Sequence, residues 1–343
     1  MILIKGRKIL IWLLLIGGLV YMYISLPPTV PMQKMALKAS AIAAYEAENP
    51  LSIECQAATI INQDNGDILY AKNDTMRLYP ASVTKILTAL LAIENGDLDE
   101  MVTVGEEIQR VSPFATRAWL QQGQALSLRD LIYALMLPSG NDAAYTIAVH
   151  IARKNSSPSL DTDEAVEVFV DLMNRRAQQL GARDSHFVNP DGFHDPNHYS
   201  SARDLSIIAR EAMKDPFFQQ VVRTTKYGTW TNSNQLIAPD SSYYLPCATG
   251  LKTGFTTPAG HCLISSACDN DVQIIAVALN SSKDGIWKDS RALLSYGFAA
   301  SQAITDYQEQ FLDTVIRKGM RYAGLIVILL LYISYRLYRI RKR

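Results

Sequence analysis

Ser82 and Lys85 form a Ser-x-x-Lys pattern near the start of a predicted helix. Residues three apart share one helix face, so the Ser82 Oγ and the Lys85 Nζ can meet there. Backbone N–H groups at a helix start favour the negative charge that develops when a serine attacks a carbonyl. A lysine held among apolar neighbours such as Ile86 and Leu87 has a lowered pKa and can act as a base. The pattern indicates an activated serine nucleophile, although chance produces it about once in a chain of this length.

Two further patterns carry polar side chains that suit the same chemistry. Ser139-x-Asn141 follows a proline and precedes a predicted helix, where an ordinary helix cap is the alternative interpretation. Lys252-Thr253-Gly254 lies on a predicted strand beside a turn. A glycine inside a strand often marks the close approach of a ligand or of another backbone. The side chains of the three patterns can act in one reaction only if the fold places them close together.

The elements that must position these patterns follow from hydrophobic periodicity and turn residues. Predicted strands come first, a large helical block follows, and three strands with short connections come last. This order indicates an α+β fold around an antiparallel sheet, not alternating βαβ units. The predicted strands cover residues 53–61, 67–71, 248–255, 261–267 and 272–279; the predicted helices cover residues 80–96, 126–137, 142–152, 163–180, 202–213 and 288–299.

The charges of the 343-residue chain balance, with 33 basic and 33 acidic side chains, but they are unevenly distributed. Residues 1–26 contain three basic side chains and no acid, and residues 317–343 contain eight and no acid. The region between is therefore net acidic, which argues against binding to nucleic acid. The chain also lacks the glycine-rich nucleotide-binding patterns and the HExxH metal pattern.

The basic ends adjoin apolar segments. Residues 9–26 are uncharged and follow a basic stretch, which predicts a membrane anchor whose C-terminal side faces outward. A cleavable signal peptide is the alternative. Residues 322–335 are also uncharged and precede a basic tail. This run is short for a membrane span but apolar all round, so we expect a second membrane segment with a cytoplasmic tail. Both interpretations predict that the middle of the chain is exported.

The four cysteines are Cys55, Cys247, Cys262 and Cys268, and their spacing contains no metal-binding CxxC pair. We assume that the predicted β-hairpin near the end of the chain turns at residues 257–258. Cys247 and Cys268 then lie nearly opposite each other on its two strands. Directly paired positions suit disulfide geometry. We therefore hypothesise a Cys247–Cys268 disulfide, with free thiols as the alternative.

Taken together and in this order, the three patterns resemble the signature of penicillin-binding proteins and class A β-lactamases. Over residues 50–300 the chain resembles the low-molecular-mass serine-type D-Ala-D-Ala carboxypeptidases. The resemblance also rests on residues 79–82 (YPAS), 186–205 (HFVNPDGFHDPNHYSSARDL) and 250–260 (GLKTGFTTPAG). It implies the penicillin-binding/β-lactamase-like transpeptidase fold: an α+β fold with an antiparallel sheet flanked by helices and an all-helical lobe, here with terminal membrane helices.

The resemblance implies catalytic roles for four residues. Ser82 would be the nucleophile that takes the acyl group, and Lys85 would be its general base. Ser139 and Lys252 would relay a proton to the leaving D-alanine. No cofactor and no metal is implied.

It also implies a substrate-binding set. Asn141 would hold the substrate amide and Lys85, and Thr253 would bind the terminal carboxylate with help from the charge of Lys252. Gly254 adjoins this site, and the backbone N–H groups of Phe255 and the nucleophile would form the oxyanion hole. Some relatives add an arginine near the carboxylate. The matching stretch, residues 281–287, has a lysine but no arginine, so a second carboxylate anchor is unassigned.

The expected organisation has five parts: an N-terminal membrane anchor or signal segment (1–28), a linker (29–50), a catalytic domain (51–300), a juxtamembrane linker (301–321) and a C-terminal membrane segment with a basic cytoplasmic tail (322–343). The expected location is a bacterial cell membrane with the catalytic domain outside.

The expected function is removal of the terminal D-alanine from peptidoglycan stem pentapeptides, with β-lactam antibiotics as inhibitors and no nucleic-acid partner. The alternatives are a D,D-endopeptidase, a β-lactamase-like hydrolase, or a weakly active penicillin-binding scaffold of the cell-wall machinery. The absence of an E-x-x-L-N deacylation pattern counts against the β-lactamase.

Overall fold

The structure is a computed structural model that describes residues 31–341. The chain divides into two compact units. One unit is Pro50–Ser301, which holds all three sequence patterns; the other takes its residues from Met1–Asn49 and Gln302–Arg343. The expected membrane segment at residues 9–26 lies outside the described residues.

The described helices and strands alternate in blocks along the chain. The strands are β1 (Ala57–Asn62), β2 (Ile68–Lys72), β3 (Met101–Thr103), β4 (Ala125–Ser127), β5 (Lys226–Tyr227), β6 (Trp230–Thr231), β7 (Ala248–Thr256), β8 (Gly260–Asp269) and β9 (Val272–Ser281). The α-helices are α1 (Pro31–Glu48), α2 (Lys85–Asn95), α3 (Leu128–Met136), α4 (Asn141–Asn155), α5 (Thr162–Leu180), α6 (Ala202–Ala212), α7 (Pro216–Arg223) and α8 (Gly285–Arg341).

Five strands form one antiparallel sheet in the order β2-β1-β9-β8-β7. The middle of β8 and the middle of β9 are buried without alternation, because helices cover both faces of the sheet. On one face α6 packs against β1 and β9. On the other, α8 approaches so closely at Gly297 that a Cβ there would lie 2.7 Å from Ile274 and 2.9 Å from Ile60. The antiparallel α+β architecture expected from the sequence is confirmed.

Helix α2 connects the sheet to the helical lobe. Its residues from Lys85 to Ala92 are all buried, so it is enclosed on every side, as its apolar composition requires. Helices α4 and α6 pack against it, and α3 and α5 pack against α4. The first turn of the predicted helix over residues 80–96 is instead a separate 3-10 turn, Ala81–Thr84, which leads directly into α2.

Several short elements were not predicted from the sequence. The pairs β3–β4 and β5–β6 have two or three residues per strand, too few for a period of two to be visible. The start of helix α7, by contrast, could have been predicted from its capping residue and its proline. Asp215 accepts a hydrogen bond from the Phe218 N–H at 2.8 Å, and Pro216 stands at the first helical position.

The cysteine hypothesis is half right. The Cys268 N–H donates to the Cys247 carbonyl at 2.9 Å, next to the Ala248–Ala267 pair, so the two cysteines lie across from each other. The hairpin itself is one position off the predicted register, because Thr256 pairs with Gly260, and a register shift between Ala248 and Gly250 restores the alignment. Both are free thiols, however, which corrects the hypothesis of a disulfide.

Helix α8 runs on to Arg341, far beyond the predicted end at residue 299. Among residues 31–341, no helix combines the length and the apolar character needed to cross a membrane. The expectation of a membrane segment at residues 322–335 therefore gains no support from the structure.

A buried carboxylate joins the start of β1 to α8. Asp289 is 4% exposed and accepts hydrogen bonds from the Glu54 N–H, the Cys55 N–H and the Ser281 hydroxyl at 2.9, 2.8 and 2.8 Å. Asp289→Ala leaves these donors without a partner, and we expect it to lower the free energy of unfolding by about 2–4 kcal/mol. Urea denaturation measures the change, with the exposed Asp240→Ala as control; equal stability of the two variants would refute this role.

Candidate active site

The serine and the lysine of the first pattern are held by one continuous turn. Ser82 lies in the 3-10 turn Ala81–Thr84, and Lys85 is the first residue of α2. Ala81 has a left-handed backbone conformation with φ of 51°, which is uncommon for a residue with a side chain. The Lys85 Nζ lies 2.9 Å from the Ser82 Oγ. The spacing of the pattern therefore brings the two functional atoms together.

The Lys85 amine is fully buried. Besides its contact with Ser82, it donates to the Asp191 carbonyl at 2.6 Å. Burial lowers the pKa of Lys85 to about 8, while the charges of Asp191 and Asp142 act in the opposite direction. With this pKa about a tenth of the amine is neutral at pH 7, and a neutral amine beside a hydroxyl can accept its proton.

The second pattern lies in the connection between α3 and α4. Ser139 has φ of 63°, and Asn141 begins α4. The loop is held by Thr116, whose carbonyl accepts from the Asn141 N–H at 3.0 Å and whose hydroxyl donates to the Ser139 carbonyl at 2.7 Å. Among the described residues, the buried Ser139 Oγ and Asn141 Oδ1 have no hydrogen-bond partner. Such unsatisfied atoms facing a cleft are available to a substrate.

The third pattern lies on β7, the edge strand of the sheet. The Lys252 amine is buried and donates to the Thr253 carbonyl at 3.0 Å. Burial, and secondly the charge of Lys85, hold the pKa of Lys252 well below its ordinary value. A Cβ on Gly254 would lie 3.0 Å from the Ser82 backbone nitrogen, so glycine lets the strand pass close to Ser82 without displacing it.

The three patterns surround one cleft of about 670 Å3. Six of the eight residues predicted for the site line it, and the other two, Lys85 and Lys252, lie buried beside it. The six are Ser82, Ser139, Asn141, Thr253, Gly254 and Phe255. Aromatic side chains, including Phe114, Phe193 and Trp287, complete the walls. Within residues 31–341 no cluster of His, Cys, Asp and Glu is able to hold a metal ion.

The sequence analysis did not identify the residues that pack against the Ser82–Lys85 turn. Asp191 supplies the carbonyl that accepts from Lys85, and Gly192 packs so closely that a Cβ would lie 2.0 Å from the Ala81 carbonyl oxygen. His198 accepts from the Val188 N–H at its Nδ1, so its Nε2 carries the proton that it donates to the Thr84 hydroxyl at 2.9 Å. The resemblance pointed to this segment, but a backbone carbonyl carries no sequence signal of its own.

Comparison with known proteins agrees with this geometry. Residues 43–283 match the sequence model of the peptidase S11 family, described as D-alanyl-D-alanine carboxypeptidase. The chain belongs to this family. It is 32% identical over 244 residues to the D-alanyl-D-alanine carboxypeptidase DacF of Bacillus subtilis, and 33% identical over 258 residues to the D-alanyl-D-alanine carboxypeptidase of Streptomyces sp. strain K15.

These matches cover different shares of the S11 relatives. The first covers 68% of this chain and 59% of the Bacillus protein, and the second covers 70% of this chain and 85% of the Streptomyces protein. Among solved structures, the Streptomyces K15 DD-transpeptidase matches with a TM-score of 0.66 at 33% identity, over 73% of this chain and 98% of that one. Penicillin binding protein 6B from Escherichia coli matches with a TM-score of 0.64 at 29% identity, over 73% and 78%. The chain therefore has the penicillin-binding-like α+β fold.

The buried His198 makes the stability of this S11 domain depend on pH. Burial lowers the pKa of His198 to about 3, whereas an unfolded histidine titrates near 6.5. Below about pH 6.5 His198 is protonated in the unfolded state but stays neutral in the folded state. The contribution of His198 to the free energy of unfolding therefore decreases as pH falls. The loss is about 1.4 kcal/mol per pH unit, or 2–3 kcal/mol between about pH 6.5 and 4.5.

Urea denaturation of the wild type and His198→Gln at these two pH values measures the effect. The glutamine cannot titrate, so we expect the variant to lose about 2–3 kcal/mol less than the wild type on acidification. The exposed serine variant Ser242→Ala, which removes no titratable group, serves as control and keeps the wild-type slope. Equal slopes for His198→Gln and the wild type would contradict the assignment.

Proposed function

We propose that this protein is a serine D-Ala-D-Ala carboxypeptidase that removes the terminal D-alanine from peptidoglycan stem pentapeptides. The observation that carries the proposal is the 2.9 Å contact between the Ser82 Oγ and the fully buried amine of Lys85. Membership of the S11 family supports the substrate class.

In the acylation step the neutral Lys85 amine takes the hydroxyl proton of Ser82 while the Ser82 Oγ attacks the carbonyl of the penultimate D-alanine. The new oxyanion faces the backbone N–H groups of Ser82 and Phe255. The close approach of Gly254 to the Ser82 backbone nitrogen supports this arrangement, because it places the edge strand β7 next to the serine. Removing one such donor costs about 10²–10³ in kcat in other acyl-transfer enzymes.

Collapse of the tetrahedral species breaks the peptide bond, and the leaving amine needs a proton. Ser139 and Lys252 relay to the amine of the departing D-alanine the proton that Lys85 took from Ser82, which returns Lys85 to its neutral form. The unpartnered Ser139 Oγ supports that role, and the unpartnered Asn141 Oδ1 supports a hydrogen bond to the substrate amide. Water then attacks the ester on Ser82, which releases the shortened peptide and restores the hydroxyl.

A β-lactam inhibits the enzyme in this scheme because its strained amide acylates Ser82 while the leaving amine stays tethered to the acyl group. The cleft volume and the fold shared with a penicillin-binding protein of Escherichia coli support this part of the proposal.

The proposed location is the outer side of a bacterial cell membrane, with the N-terminal segment of residues 1–28 as anchor or signal. The uncharged run of residues 9–26 behind a basic stretch supports export. Within this scheme residues 29–50 are the linker to a catalytic domain at residues 51–300.

D-alanine release from diacetyl-L-Lys-D-Ala-D-Ala tests the activity directly. We expect release by the wild type and only background release by Ser82→Ala, because the acyl-enzyme has no attachment point. The exposed serine variant Ser242→Ala serves as control and keeps full activity. Release that survives in Ser82→Ala would refute the nucleophile. A wild type that is labelled by penicillin without releasing D-alanine would favour the endopeptidase or the scaffold.

The pKa of Lys85 sets the pH dependence of acylation. Because only the neutral amine accepts a proton, the rate of penicillin labelling should rise about tenfold per pH unit well below about pH 8 and level off above it. Stopped-flow labelling with a fluorescent penicillin between about pH 6 and 9.5 measures this rate. A rate that stays constant over that range would rule out Lys85 as the titrating base.

A further inference from the structure

Ser233 lies outside the three signature patterns, on the segment between β6 and β7. Its N–H donates to the Leu137 carbonyl at 3.0 Å, which attaches this segment to the loop that carries Ser139. Its Oγ lies 2.6 Å from the Thr253 Oγ1, and both hydroxyls line the cleft. One exposed serine therefore links the Ser139 loop to the strand of the third pattern.

The walls of the cleft carry no fixed charge. Among the described residues that line it there is no Arg, Lys, Asp or Glu. The Lys252 amine lies buried behind the wall and already donates to the Thr253 carbonyl. Two histidines, His194 and His261, also line the cleft. Burial lowers the pKa of His261, and nearby Lys283 and Asp284 act on that pKa in opposite directions. A carboxylate in this cleft therefore meets mainly neutral donors.

We propose that Ser233 is a specificity-determining residue that, paired with Thr253, binds the terminal carboxylate of the peptide substrate. In the structure one of the two hydroxyls donates to the other, which the 2.6 Å separation requires. When a carboxylate arrives, each hydroxyl turns to donate to one of its two oxygens. The pair fills the place of the second carboxylate anchor that the sequence left unassigned, and the inference rests on the proposed function.

The pair distinguishes substrates by their C-terminal group. A hydrogen bond to a charged acceptor contributes more than one to a neutral acceptor, so losing the Ser233 hydroxyl should cost about tenfold or more in kcat/KM for a free acid. A carboxamide terminus offers one neutral acceptor and brings its own donors, so the same loss should change its kcat/KM by less than about twofold.

The experiment compares two substrates on the full-length protein: diacetyl-L-Lys-D-Ala-D-Ala and the same peptide ending in a carboxamide. Ser233→Ala should lower kcat/KM for the acid alone, and Ser233→Thr, which keeps the hydroxyl, should restore it. Ser242→Ala controls for substitution of an exposed serine in the same connecting segment. Lys283→Ala tests a rival anchor, the exposed ammonium in the stretch where some relatives carry an arginine.

Three results would overturn the inference: no loss on the acid in Ser233→Ala, equal losses on both substrates, or a carboxylate-selective loss in Lys283→Ala instead. A wild type that releases amine from neither peptide would refute the proposed function. In that case the acylation rates with a penicillin and with its methyl ester still decide the matter, because Ser233→Ala should slow only the free acid.

Discussion

Two lysine amines buried beside one cleft impose the main constraint on this molecule. Removing a charged amine from water costs several kcal/mol, and the cost falls when the amine is neutral and its protons have acceptors. Lys85 finds its acceptors in Ser82 and the Asp191 carbonyl, and Lys252 finds its acceptor in the Thr253 carbonyl. Helix α2 carries Lys85, the edge strand β7 carries Lys252, and the segment of Asp191 supplies the carbonyl that accepts from Lys85.

The backbone around the site is held in conformations that residues with side chains rarely adopt. Ala81, Ser139 and Leu251 all have left-handed φ values, of 51°, 63° and 83°, and each is either a predicted catalytic residue or the direct neighbour of one. Such conformations cost about 1–3 kcal/mol each and persist only where the surroundings enforce them. Here the enforcing contacts come from a buried helix and a covered sheet, so the rigidity of the core maintains the positions of the reactive atoms.

The sequence predicted those parts of the site whose geometry depends on residues close together in the chain. The contact between Ser82 and Lys85 follows from helical spacing, and the strand of Lys252 follows from alternation and turn residues. The register of the β7–β8 hairpin was predictable only to within one position, and the register could not tell the oxidation state of the cysteines. The contributions of Asp191, His198 and Ser233 were not predictable, because they depend on which distant segments the fold brings together.

The order of the strands has a consequence for biogenesis. The first strand, β1, lies inside the sheet between β2 and the last strand, β9, and Gln56 and Asn280 are hydrogen-bonded across 224 positions of sequence. A chain that emerges N-terminus first therefore holds an apolar hairpin with an unpaired edge until its last strands arrive, a state prone to intermolecular pairing. In the proposed reaction, acylation of Ser82 would therefore also mark molecules in which the last strands have joined the sheet.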